Sequence, residues 1–194
     1  MAPAAITVRR PKLCRRATAM LGSLTVALSW LCPWNTGNAD ERYSAASVEA
    51  VYLYRFGGYI QWPPQALSGP RFTIAVLGDD EVAEALSRVL KDHSMGGLPT
   101  SVRRARSLHD LAGAQMVYVG DGYRGDLHEV ISSLAHRPVL VVTDEVDGLD
   151  AGSMVNFVIA DGRVRFEVSL TSATRAGLKI SSQLLAVAVR VQTG

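Results

Sequence analysis

Cysteine is scarce in this sequence. The chain of 194 residues contains two, Cys14 and Cys32, and both precede Asp40. From residue 40 onward there is therefore no thiol for a disulfide, for thiolate catalysis or for a cysteine-bound metal. A domain formed by this part must be stabilised by its hydrophobic core alone, which a domain of about 150 residues can achieve.

Residue spacings that are typical of common enzymes are missing as well. The histidines are scattered and form neither an H-x-x-x-H nor an H-E-x-x-H pattern for zinc. The sequence has no G-x-S-x-G and no Walker loop, and no G-x-G-x-x-G follows the first predicted strand. We therefore expect a binding or regulatory domain, without a metal or other cofactor, and not an enzyme. An exported hydrolase, whose catalytic groups would meet only in the fold, is the weaker alternative.

Acidic residues are absent from the first 39 positions, which contain five basic residues and the apolar run 19–32. This order, with small residues at Gly37 and Ala39, is typical of a secretory signal peptide. We expect cleavage after Ala39 and a mature exported domain of residues 40–194. The run is shorter than the roughly 20 apolar residues of a membrane span, and an uncleaved anchor is the alternative. The mature part has 15 basic and 18 acidic residues, and this distribution gives no indication of nucleic-acid binding.

Apolar runs that alternate with helical patterns indicate the fold class. Residues 72–77, 115–120 and 138–143 are near-continuous apolar runs, as buried parallel strands are. Helices are predicted between them at residues 81–91 and 126–135. The pattern predicts a single α/β domain, with a mainly parallel sheet flanked by helices and a C-terminal antiparallel hairpin at its edge.

A helix is also predicted before the first strand, from a cap at Ser44 or Ser47 to Ile60. Its Gly57-Gly58 pair weakens the helix and suggests a close contact with the sheet. Six residues at helical spacing are expected to form its buried stripe: Val48, Val51, Tyr52, Phe56, Tyr59 and Ile60.

Polar residues follow three of the predicted strands, at Gly78-Asp79-Asp80, Gly120-Asp121-Gly122 and Thr143-Asp144. Ligands of open α/β sheets bind at these carboxyl ends, so a small-ligand site would lie here. Asp79, Asp80 and Glu81 could form a metal cluster, but helix capping explains all three.

The clearest hairpin pattern is near the C-terminus. Two β-prone runs, 157–159 and 164–168, flank Asp161-Gly162, a dipeptide that favours a type I′ turn. The second run alternates between apolar residues and the charged residues of one face. A short helix from Ser169, a stop at Ala176-Gly177 and a closing apolar helix are predicted to follow.

Four charged residues of this stretch are the candidate site: Arg165, Glu167, Arg175 and Lys179. They could bind a partner, or they could form a network that locks the hairpin to the last helix. Ion pairs across a solvated hairpin face would also explain them. If they form a network, Arg175→Ala should cost more than the usual half kcal/mol or so of a surface substitution.

Several segments of the sequence resemble the YfiR-like periplasmic proteins. The resemblance lies in residues 48–56, 60–63 and 72–80, and most specifically in residues 152–159, 162–168 and 175–185. It implies a compact Rossmann-like domain that is compatible with homodimer formation. It also implies a regulatory role, in which the protein binds the periplasmic region of a membrane diguanylate cyclase and represses it. Repression would lower cyclic di-GMP and restrain biofilm formation, while a periplasmic small-ligand sensor or carrier is the alternative function.

Two departures from the family pattern affect these expectations. The best-known members carry cysteines in the mature domain and are linked to redox control, whereas this chain has none there. A thiol switch is therefore not expected. Arg55 and Gly57-Gly58 also differ from residues common in relatives, so the first helix could present a different surface to a partner.

Overall fold

The computed structural model describes residues 44–194, and the predicted signal peptide lies outside these residues. Ten strands and five α-helices are described in this part of the chain, and none of its helices is long and apolar enough to cross a membrane. The strands are β1 Ile60–Gln61, β2 Phe72–Leu77, β3 Ser94–Met95, β4 Leu98–Ala105, β5 Met116–Val119, β6 Leu140–Thr143, β7 Val155–Ala160, β8 Arg163–Ser169, β9 Lys179–Ile180 and β10 Arg190–Gln192. The helices are α1 Ala45–Tyr59, α2 Asp80–Val89, α3 Leu127–Leu134, α4 Leu170–Arg175 and α5 Ser182–Leu185, and two 3-10 helices cover Pro64–Leu67 and Leu108–Leu111.

Eight strands form one mixed sheet in the order β10-β8-β7-β6-β5-β2-β4-β3. In this order, the neighbouring strands β7-β6-β5-β2-β4 all pair in parallel, while β7–β8 and β3–β4 are antiparallel. Strands β1 and β9 form a separate two-stranded ladder. The predicted α/β class with a mainly parallel sheet and a C-terminal hairpin is therefore confirmed.

Helix α1 begins where the sequence predicts, but the face that it buries differs from the predicted stripe. Ser44 caps it, since the Ser44 hydroxyl accepts a hydrogen bond from the backbone N–H of Ser47. The predicted stripe was wrong at Val51, which is 43% exposed. The inward face instead consists of the small, apolar and acidic residues Ala46, Glu49, Ala50, Leu53, Phe56 and Gly57. Small residues let the helix approach its neighbours closely, and a Cβ at Gly57 would collide with Met95 Sδ of β3.

Side chains also cap the other helices, and the cap of α2 lies in the acidic cluster for which the sequence predicts capping. Asp79 caps α2, with its Oδ1 accepting from Val82 N at 2.8 Å, and Asp126 caps α3 in the same way through His128 N. Ser107 and Asp110 form a capping box, although the turn they begin is a 3-10 helix. The described residues contain no group of metal-binding side chains around these aspartates.

The hairpin has the predicted turn but not the predicted surroundings. Asp161 and Gly162 have φ values of +51° and +68°, the two positive angles that a type I′ turn needs. The prediction of a closing apolar helix was wrong, because α5 has only four residues. After it, the alternation Val187-x-Val189-x-Val191 leads into β10, which pairs with β8. The hairpin is therefore covered by a further strand and is not the edge of the sheet.

Two hydrophobic cores lie on the two faces of the sheet. The larger one contains an aromatic cluster in which Phe56 and Tyr52 of α1 contact Phe157 and Phe166 of the hairpin, with ring centroids 5.1 to 5.9 Å apart. The smaller one lies under α3 and the 3-10 helix 108–111. Helix α1 thus connects the hairpin to the centre of the sheet.

A buried glutamine joins the start of the sheet to the segment that follows β1. Gln115 Oε1 accepts a hydrogen bond from Thr73 N at 2.7 Å, and Gln115 Nε2 donates one to Ala66 O at 3.0 Å. Its backbone oxygen also accepts a hydrogen bond from the indole N–H of Trp62 at 3.2 Å. The Trp62-Pro63 segment of the family resemblance is therefore held by both the backbone and the side chain of one residue.

We expect Gln115→Met to reduce the free energy of unfolding by about 2–4 kcal/mol. The substitution leaves the backbone N–H of Thr73 and the carbonyl group of Ala66 without a hydrogen-bond partner, and the two unpaired groups have similar costs. Urea denaturation measures this loss. The matched control is Gln65→Met, since Gln65 is exposed and its change should stay within about 0.5 kcal/mol. An equal effect of the two substitutions would contradict the role given to Gln115.

Candidate functional site

A buried acid lies beneath α1, close to the carboxyl ends of the central strands. Glu49 is only 4% exposed, and its Oε2 accepts a hydrogen bond of 2.6 Å from the hydroxyl group of Tyr118. Tyr118 is fully buried and belongs to β5. No salt bridge to Glu49 is found within residues 44–194, so its carboxyl group has a neutral partner.

Burial is the largest influence on this carboxyl group and raises the pKa of Glu49 to about 7. The hydrogen bond from Tyr118 acts in the opposite direction, whereas the charges of Asp144, Asp79 and Asp121 raise the pKa further. Burial also raises the pKa of Asp144, together with the charges of Asp121, Glu145 and Asp79. The strand ends therefore concentrate negative charge above a buried acid that titrates near neutrality.

The crevice where ligands of such sheets bind is closed. From β2 the chain continues to β4 on one side of β2 and then to β5 on its other side. The strand order therefore reverses between β2 and β5. At this point a Cβ on Gly122 would collide with Gly78 O, and one on Gly78 would collide with Tyr123 N. The two loops pack against each other and leave no room between the strand ends.

One G-x-G-x-x-G sequence, residues 120–125, follows β5 and is not among the predicted motifs. In dinucleotide-binding proteins these glycines let phosphates approach the start of a helix. Here Gly120 and Gly122 make room for Asp79 and Gly78 of the neighbouring loop. Asp126 places a carboxylate at the start of α3, which disfavours an anion there. The glycines thus serve loop packing.

Open grooves lie on both sides of the closed crevice and carry different charges. The groove beside β2 and β4 has a volume of about 350 Å³ and mixed charge, because Asp79 and Asp80 line it together with Arg104, Arg106 and Arg124. Arg104 pairs with Asp80 at 3.5 Å. The groove beside β6, β7 and β8 has a volume of about 480 Å³. Four carboxylates without a salt bridge to a described residue line this second groove, which we call the acidic groove: Asp121, Asp144, Glu145 and Asp147.

The four predicted site residues are not joined in one network. Glu167 pairs with Arg190 of β10, which donates two hydrogen bonds of 2.9 and 3.0 Å to its carboxylate. Arg165 lies on the same hairpin face as Glu167, whereas Arg175 and Lys179 are exposed on α4 and β9. Arg165, Arg175 and Lys179 make no salt bridge with another residue of the part that the structure describes. Their role in partner binding stays a prediction, and the structure gives no reason for a large cost of Arg175→Ala.

A comparison with known protein families shows which family the chain belongs to. The YfiR/HmsC-like family matches residues 46–189, which is most of the chain. The chain belongs to the YfiR/HmsC-like family. Membership supports, in general terms, a periplasmic regulator of diguanylate cyclase signalling, since members of this family are regulators rather than enzymes.

A solved structure with a similar course of the chain is the ABC domain in complex with L-Trp from Streptococcus pneumonia. It is 13% identical, with a TM-score of 0.49, and the match covers 75% of this chain and 60% of that one. The YfiR/HmsC-like chain thus corresponds to less than two thirds of the length of that protein.

Sequence reasoning missed Glu49, Tyr118 and Arg190. A glutamate near the start of a helix is usually exposed, and only its spacing from Ala46, Ala50 and Leu53 places Glu49 on the buried face. Arg190 was missed because no strand was predicted after the closing helix. Its partner Glu167 becomes visible only when 190–192 is recognised as a strand beside β8.

Replacing Glu49 by glutamine should make the protein more stable at alkaline pH. The pKa of Glu49 rises on folding from 4.5 to about 7, so the folded state binds a proton that the unfolded state has lost. The parent therefore loses stability relative to Glu49→Gln as the pH rises through this range. The difference reaches up to about 3 kcal/mol above the folded pKa and disappears below the unfolded one.

Urea unfolding of both proteins across this pH range measures the effect. Glu84→Gln, at an exposed position of α2, is the control and should run parallel to the parent across this pH range. A Glu49→Gln variant that also runs parallel to the parent would refute the burial of an acid with a raised pKa.

The Glu167–Arg190 pair should hold β10 against β8. We expect Arg190→Ala to accelerate hydrogen exchange at Val191 and Gln192, because the side-chain contact between the two strands is lost. Arg175→Ala is the matched control and should leave this exchange unchanged. Equal protection in both variants would show that the backbone ladder alone fixes β10.

Proposed function

We propose that the chain is exported to the periplasm by residues 1–39, is cleaved after Ala39 and acts there as a repressor. It binds the periplasmic region of a membrane diguanylate cyclase, lowers cyclic di-GMP and so restrains biofilm formation. The family match over residues 46–189 is the observation that carries this proposal. Residues 40–194 form the regulatory domain.

The mechanism we propose is selective binding to an inactive state of the cyclase. The chemistry belongs to the cyclase, so the chain changes its activity only by binding one state more tightly than another. A tenfold change in the ratio of the two states requires a difference of about 1.4 kcal/mol in binding free energy. One exposed side chain that contacts only the inactive state can supply this amount.

Three cations of the hairpin region, of which Arg165 is half-buried, are candidates for this contact. Arg165, Arg175 and Lys179 present cations that no described acidic side chain neutralises. Glu167 differs, because Arg190 already holds it. We expect Arg165→Ser and Arg175→Ser to unfold like the parent and to weaken repression. A homodimer remains a further prediction, which light scattering checks.

Small-ligand binding is the alternative function, and the two open grooves at the carboxyl ends favour it. A ligand present at 100 times its dissociation constant would stabilise the protein by roughly 2.7 kcal/mol, which thermal denaturation detects. Stabilisation by a periplasmic metabolite without any effect on a cyclase would favour a sensor or carrier.

Repression is tested by expressing the chain together with each membrane diguanylate cyclase of its cell. We expect cyclic di-GMP to fall with at least one of them. The control is Gln115→Met, which should lose repression in proportion to its loss of folded protein. Unchanged cyclic di-GMP with every cyclase would refute the proposed function.

A further inference from the structure

Two hydrophobic side chains at the acidic groove are exposed to an unusual degree. Val146 is 90% exposed and Ile159 is 69% exposed, and both line the groove together with Phe157 and Val158. Ile159 also lines a neighbouring groove beside α1, which contains Arg163 and Arg165. Each of the two is more exposed than any other large hydrophobic residue of the described part. Side chains of this kind within a single groove are typical of a protein contact.

The loop that carries Val146 is fixed by a buried polar cluster. Thr143 Oγ1 lies 2.6 Å from Asn156 Oδ1 and 3.0 Å from Ser153 Oγ, and Glu145 N donates to Asn156 Oδ1 at 3.3 Å. Position 148 must be glycine, because a Cβ there would collide with Thr143 Oγ1 and Asn156 Oδ1. The loop therefore presents Val146 in a defined place, which reduces the entropy lost when a partner binds.

The charges at the groove define the chemistry of that partner. Arg190 lines the groove but is engaged by Glu167, so the pair contributes little net charge. The four carboxylates of the acidic groove remain. Burial raises the pKa of Asp144, and the charges of Asp121, Glu145 and Asp79 raise it further. A cationic segment would relieve the repulsion among these acids, whereas an acidic segment or a nucleic acid would increase it.

We propose that the acidic groove is the docking site for a segment of the membrane cyclase's periplasmic region that combines lysine or arginine with apolar side chains. The apolar side chains contact Val146 and Ile159, and the cations lie against the carboxylates around them. This inference rests on the proposed function and identifies the part of the partner that is bound.

The test combines a binding measurement with a measurement in cells. Purified protein is titrated into a short labelled peptide of lysine, leucine and serine, and into the same peptide with glutamate in place of lysine. The groove variant is Val146→Ser with Ile159→Ser. The matched control is Val51→Ser with Val187→Ser, two exposed valines that do not line the groove.

We expect the lysine peptide to bind the parent and the control, and to bind the groove variant at least roughly tenfold more weakly, because two apolar contacts are lost. Binding should weaken with salt, and the glutamate peptide should not bind. In cells, the groove variant should repress the cyclase less than the control. Equal binding by both variants, or binding of the glutamate peptide, would overturn the inference.

The outcomes separate this inference from the proposed function. If the parent represses a cyclase and the groove variant represses it equally, the docking site is wrong and the proposed function stands. If the parent represses no cyclase, the proposed function fails, and with it the assignment of the partner. If the groove variant instead changes the oligomeric state in light scattering, the groove is a contact between two copies of the chain, which also overturns the inference.

Discussion

The packing of α1 across the sheet is the contact on which the rest of the structure depends. It connects the aromatic residues of the hairpin to the central strands and buries Glu49 against Tyr118. A buried carboxyl group is costly when ionised, and three aspartates at the strand ends increase this cost. The helix is therefore held by hydrophobic and aromatic contacts, while its one buried acid makes the same packing sensitive to pH.

The carboxyl ends of the sheet are organised for contact at the surface rather than for ligand binding between the strands. Gly78 and Gly122 let the two central loops close the crevice, and grooves of different charge remain on both sides. This arrangement agrees with a family whose members are regulators rather than enzymes. The buried cluster around Asn156 lies in the segment of the clearest family resemblance, and its physical role is to fix the loop that carries Val146.

Local patterns predicted the elements well, because strand runs, caps and the Asp161-Gly162 turn depend on nearby residues. Contacts between distant segments could not be predicted in the same way. Glu49 meets Tyr118 across 69 positions of the chain, and Glu167 meets Arg190 only because β10 adds to the sheet. The acidic groove was likewise visible only in part, since Asp121 and Asp144 were placed at strand ends but Val146 and Ile159 were not singled out. Exposure of an apolar side chain is a property of the fold and not of its local sequence.

Photo-crosslinking in cells tests the central claim most directly. A benzophenone-bearing residue is placed at Val146 in one protein and at Val187 in another, and the adducts in the membrane fraction are identified by mass spectrometry. The account predicts that position 146 crosslinks to the periplasmic region of a membrane diguanylate cyclase and that position 187 does not. The absence of a cyclase adduct at position 146, or equal adducts at both positions, would contradict it.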